Sequence, residues 1–118
     1  MASIINLELA KSLIKEFQKQ NVSPGGPDLK TPDGQHLKGF FIDRQSLDTI
    51  LSEPGCVGLS LHLAKHPDAI GSNENKFTIA IAGAQLNNET DPKSPYKRVG
   101  HVWDLLNPCP PYCTDLGE

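Results

Sequence analysis

The sequence predicts an α+β fold: an antiparallel sheet of about four strands with two helices packed on one face. Three observations predict it. Residues 56–63 (Cys-Val-Gly-Leu-Ser-Leu-His-Leu) and 77–83 (Phe-Thr-Ile-Ala-Ile-Ala-Gly) alternate with a period of two. That spacing sends successive side chains to opposite faces of a sheet. Residues 6–20 and 44–52 instead carry apolar side chains at helical spacing. Finally, the order α-β-α-β-β-β ends in three strands joined by loops alone, which suits a meander. With 118 residues, the chain reads as one α+β domain over 1–118, of which 107–118 form a Cys/Pro-rich tail.

The first helix opens at Asn6, whose side-chain oxygen can accept from an orphan backbone N–H. Leu7, Ala10, Leu13, Ile14 and Phe17 form its apolar face, and Lys11, Lys15, Glu16 and Lys19 lie mostly opposite. The helix should stop near Asn21. Residues 22–36, with Pro24, Pro27, Pro32 and two glycine turns, read as a long mobile loop. Leu37–Ile42 reads as a short strand. Asp43 can cap the second helix, which should bury Leu47, Ile50 and Leu51 before Pro54-Gly55 ends it.

The central strands follow. Val57, Leu59, Leu61 and Leu63 make one stripe, Phe77, Ile79 and Ile81 another, and both are expected under the helices. The reverse face carries Gly58, Ser60, His62, Thr78, Ala80 and Ala82. It is small and mixed, and suits a covering helix, open solvent or a dimer contact. After a polar loop over 85–95 that includes Asp91 and Pro92, residues 96–106 read as the last strand. Val99, His101, Trp103 and Leu105 face one way; Tyr96, Arg98, Gly100, Val102 and Asp104 face the other. Asn107-Pro108 breaks it.

Composition narrows the function classes. The chain is 37% hydrophobic and 21% charged, as globular proteins are, and its net charge is −3. Its basic residues are scattered, so it lacks the dense Lys/Arg patch that nucleic acid or an anionic membrane would select. No apolar run reaches the ~20 residues of a membrane span, and the first residues do not read as a secretory signal. The expected compartment is therefore the cytoplasm.

Chemistry-bearing residues are few. The tail holds Cys109 and Cys113 at C-x3-C spacing, within the range of metal knuckles. Each of Cys109 and Pro110 precedes a proline and is pushed toward extended backbone. An extended segment at ~3.1 Å per residue holds the two Cα atoms up to ~12 Å apart, whereas a disulfide wants less than ~7 Å. A cis bond at Pro110 or Pro111 would bring them together. The simpler expectation is a rigid extended tail that lays Tyr112 on the domain. Should the tail bind a metal, zinc held by Cys109, Cys113 and His101 is the candidate set, because the strand of His101 runs into the tail. Cys56 reads as a small core residue. His62 and His66 sit ~13 Å apart along a strand and cannot share a metal without a bend. There is no G-x-S-x-G, P-loop or G-x-G-x-x-G, and no carboxylate pair stands out as acid and base.

Taken together, four stretches resemble a group of small bacterial proteins. They are Asn6-Leu7-Glu8-Leu9-Ala10-Lys11, Phe40-Phe41-Ile42 before a short helix, Gly55-Cys56-Val57-Gly58-Leu59, and the Cys-Pro-Pro-Tyr-Cys ending. The resemblance implies no activity and carries over no catalytic or binding residue. The reading is thus a non-enzymatic binding or assembly module that works through a sheet face or edge. Its expected partner is a second copy of the chain or another protein. The alternative is a thiol or zinc protein built on the tail cysteines. A small enzyme with a loop-borne site around His36 or His66 ranks third.

Overall fold

Both helices begin where their caps place them. The structure is a computed structural model that describes residues 2–90, 94–104 and 106–117; the expected positions of Leu105, Asp91 and Pro92 lie outside these. The Asn6 Oδ1 accepts from the Leu9 N–H at 2.7 Å and opens α1 (Leu7–Val22). The Asp43 carboxylate accepts from the Ser46 N–H at 3.0 Å and opens α2 (Arg44–Leu51). The strands are β1 (Gly39–Phe41), β2 (Gly58–Lys65), β3 (Phe77–Leu86), β4 (Tyr96–Trp103) and β5 (Asn107–Cys109). The protein is α+β, but its strands form a two-stranded sheet β1-β5 and a three-stranded sheet β2-β3-β4. The expected sheet of about four strands is corrected accordingly. Residues 37–42 do not join the meander, because the tail supplies their partner.

The chain gathers into two compact units. The first comprises Met1–Phe41, Lys65–Phe77 and Asn107–Glu118. In it β1 and β5 run antiparallel, with Gly39 opposite Cys109, Phe40 opposite Pro108 and Phe41 opposite Asn107. A proline is tolerated there because each strand of a two-stranded ribbon has a free edge that needs no N–H. The turn Asp115–Gly117 packs against α1.

The apolar face of α1 differs from expectation. Asn21 is buried and Ala10 and Ile14 are half-buried, while Leu7, Leu13 and Phe17 are exposed. Asn21 ends the buried strip and pins the long loop that follows. Its Oδ1 accepts from the Leu29 N–H at 2.7 Å, and its Nδ2 donates to the Leu29 and Leu37 carbonyls at 3.1 and 3.5 Å. The loop is further closed by Leu37 N–H to Leu29 O at 2.9 Å and Thr31 N–H to Gln35 O at 2.8 Å. Lys30 bridges to Lys76, which ties the loop to the segment before β3.

The second unit comprises Ile42–Ala64 and Thr78–Leu106. From α2 it buries Ile50, with Leu47 half-buried and Leu51 exposed. Its buried residues otherwise concentrate on β3, the central strand, where Thr78 and Ile81 through Ala84 are all buried. β2 is an edge strand with one neighbour. The stripe expected to be covered there is largely open: Leu59 is half-buried, but Val57 is exposed and Leu61 and Leu63 are 60% and 71% exposed.

Candidate functional site

The site grows from the alternation of β3. Ala80, Ala82 and Ala84 fall on one face, and three methyl side chains leave that face low. Antiparallel pairing then sets the side chains of β4 beside them: Val102 opposite Ala82, Arg98 opposite Ala84 and Tyr96 opposite Leu86. The register shifts between Ala82 and Gly83, whose partners are Val102 and Val99, so Gly100 and His101 bulge from β4. Gly100 supplies the positive φ of 77° that the bulge requires. On its other side the alanine row meets β2, which contributes Ser60 and His62. Low floor and taller walls together make a groove of about 530 Å³, lined by Leu59, Ser60, His62, Ala80, Ala82, Ala84, Ser94, Tyr96, Lys97, Arg98 and Val102. That volume is within the range of small-molecule sites, roughly 300–1,000 Å³.

The reverse face of β3 is close-packed at the bulge. A Cβ on Gly83 would stand 3.0 Å from the Cys56 Sγ and 3.1 Å from the Val99 Cγ1. The free thiol of Cys56 sits 3.2 Å from the Gly58 carbonyl as a small packing group. Glycine at 83 thus lets a strand, a thiol and a valine meet behind the groove floor.

The polar groups of the groove have few duties within the chain. Ser60 Oγ and His62 Nε2 are 2.7 Å apart, an i, i+2 pair on one strand face. Arg98 donates one N–H to the carbonyl of Gly100 in the bulge. Lys97 lies 3.8 Å from Glu89, and both side chains are largely exposed. Sequence reasoning identified the small-residue face but missed the Ser60–His62 contact and the part played by Arg98. An alternating pattern tells which residues share a face, not which side chains touch.

The tail cysteines form a disulfide, Cys109–Cys113, with Cα atoms 4.8 Å apart. The peptide bonds before Pro110 and Pro111 are both cis. With the cysteine Cα atoms 4.8 Å apart the segment turns and is not the extended strap expected, while Tyr112, about half exposed, borders a cavity of the first unit. Together with Ile14, Phe40 and Phe41 the disulfide lines a small cavity of about 180 Å³ in the first unit. As a disulfide the pair presents no thiolate, so zinc binding there would first require reduction. His101 lies exposed in the β4 bulge, in the second unit. Among the described residues no group of three His, Cys, Asp or Glu side chains is placed to hold a metal ion.

The remaining histidines serve the loops. His66 Nδ1 accepts from the Asp68 N–H at 3.1 Å and caps the short turn Pro67–Ala69. His36 Nε2 meets Asp28 Oδ1 at 3.0 Å. Two carboxylates have pKa values held below the ordinary aspartate value. The Ser46 hydroxyl and N–H do this for Asp43, and the Thr31 hydroxyl and the Gln35 amide for Asp33. Both stabilise local turns outside the groove. Among the described residues no helix is long and apolar enough to cross a membrane. The chain matches no protein-family model, no curated protein and no solved structure.

Proposed function

We propose that the protein is a non-enzymatic binding module whose recognition element is the small-residue face of the three-stranded sheet. The observation that carries this reading is the groove itself, with Ala80, Ala82 and Ala84 as its floor and side chains of β2 and β4 as its walls. Small side chains in the middle of a sheet forgo packing that larger ones would supply. An open groove of that kind gains the missing contacts when a ligand enters. The test is a fragment screen followed by amide chemical-shift mapping. Shifts clustered on β3 and β4, and lost in Ala80→Trp, are the expected result. Hits scattered over the surface, or none, would overturn the reading.

A second observation favours assembly through the sheet edge, with a second copy as partner. β2 is an edge strand that exposes Leu61 and Leu63, and pairing two such edges would satisfy the open backbone groups and set the two leucine rows side by side. Light scattering after size exclusion decides it: a dimer is expected, and a monomer at high micromolar concentration removes this part.

A further inference from the structure

Among the described residues, the guanidinium on the groove wall has no carboxylate within ion-pair distance. We infer that the groove takes a small monocarboxylate with a flat apolar body, its carboxylate held by Arg98. This rests on the groove being the binding site and adds the class of ligand.

Three features lead there. The first is charge. The chain has 14 Asp and Glu against 11 Lys and Arg, yet among the described residues no carboxylate lines the groove, while Arg98 stands on the groove face and Lys97 borders it. In an acidic protein that is a local reversal of sign, and it complements an anion. The second is how those cations are engaged. Lys97 has Glu89 as a neighbour at 3.8 Å. Among the described residues Arg98 has no acidic partner, and it donates to the Gly100 carbonyl in its own strand. A guanidinium has five N–H donors in a planar fork, so several remain to meet two carboxylate oxygens side by side. One unanswered cation suits one negative charge, and a dianion would ask for more. The third is the floor. Arg98 stands directly opposite Ala84, and Val102 opposite Ala82, so the fork adjoins a low apolar surface. A sheet face paved with methyl groups accepts a flat body lying along it. On the β2 side the Ser60–His62 pair offers a polar edge to the far end of such a molecule.

The experiment compares naphthoate with naphthamide, which share a shape and differ in charge, by calorimetry and amide shift mapping on the intact chain. Naphthoate is expected to shift β3 and β4 and to bind roughly tenfold or more tighter than naphthamide. Arg98→Gln should abolish that preference, bringing the naphthoate affinity down to the level of naphthamide, and Arg98→Lys should keep it only in part, since the ammonium lacks the fork. Arg98 is exposed, so these variants keep their fold, and circular dichroism checks that they do. Equal binding of both compounds in the groove would overturn the carboxylate inference and leave the binding module standing. Tighter binding of naphthyl phosphate than of naphthoate would also overturn it, in favour of a phosphate ligand. If neither these compounds nor any fragment reaches β3 and β4, both readings fall together.

Discussion

Replacing Asn21 by alanine tests how the first unit is held. Asn21 is 1% exposed, and its amide meets three backbone groups of the loop that follows α1. The three losses are unequal. The Leu29 carbonyl keeps a second donor, the Leu37 N–H at 2.9 Å. The contact to the Leu37 carbonyl is long, at 3.5 Å. The Leu29 N–H has the shortest bond, 2.7 Å, and depends on the Asn21 Oδ1. Leaving that donor unpaired costs about 1–3 kcal/mol, and the weaker contacts and the vacated volume bring the expected loss to about 3 kcal/mol. For a chain of this size that lowers the melting temperature by roughly 10 °C. The assays are thermal and urea unfolding, with hydrogen exchange at the Leu29 amide as the local readout. Asn21→Asp sharpens the test. It keeps an acceptor for Leu29 but turns a carboxylate oxygen toward two carbonyls, so it should be worse than alanine at neutral pH and recover on acidification. A loss below about 0.5 kcal/mol in Asn21→Ala, or unchanged Leu29 protection, would refute the assignment of Asn21 as the clamp.

Two further predictions concern the tail and the second helix. The Cys109–Cys113 bridge closes a ring across a sequence separation of 4, for which the chain-entropy relation gives about 2 kcal/mol. The Cys109→Ser/Cys113→Ser variant should lose that much and lose exchange protection at Lys38, whose N–H donates to the Cys109 carbonyl at 2.7 Å; thiol counting on the native protein should find only Cys56. Asp43 has a folded-state pKa below its ordinary value, chiefly because the Ser46 hydroxyl donates to it at 2.6 Å. A depressed carboxylate adds stability above its unfolded-state value and loses it as pH falls through the lower folded-state value. Acid titration of unfolding should show that decline, and Asp43→Asn should flatten it.

Much of the local structure was legible because its causes are local. Asn6 and Asp43 cap the two helices from the positions expected, and the starts of β3 and β4 agree with the alternation. The faces of β4 were also readable despite the bulge. Gly100 and His101 add two residues, and two residues restore the parity of a period-two pattern, so Arg98 and Val102 still share a face. What escaped is non-local. Nothing near Gly39 announces that Cys109 will lie opposite it. Asn21 looked like a stop signal because its partners, Leu29 and Leu37, lie beyond the helix. Leu13 and Phe17 sat on the right stripe for a buried face, yet apolarity alone does not say which part of a stripe is covered. The groove was half-visible: the small residues could be counted, but whether anything lay over them could not.

The distribution of polar chemistry separates the two units. In the first, the distinctive groups are engaged in holding the chain: Asn21 clamps a loop, His66 caps a turn, His36 meets Asp28, and Cys109 is joined to Cys113. Removing the Asn21 clamp or the disulfide should be felt as stability, whereas the exposed His36–Asp28 contact should contribute little. In the second unit, Arg98 and the Ser60–His62 pair satisfy only near neighbours on their own strands and stand at the wall of an open groove. Among the described residues, no loop, cap or crosslink is hydrogen-bonded to them. Under the proposed reading, these are the side chains a groove ligand would meet, and their ordering is not needed by the fold. Substitution at Arg98 should therefore leave the melting temperature nearly unchanged and alter binding, the reverse of what is expected at Asn21.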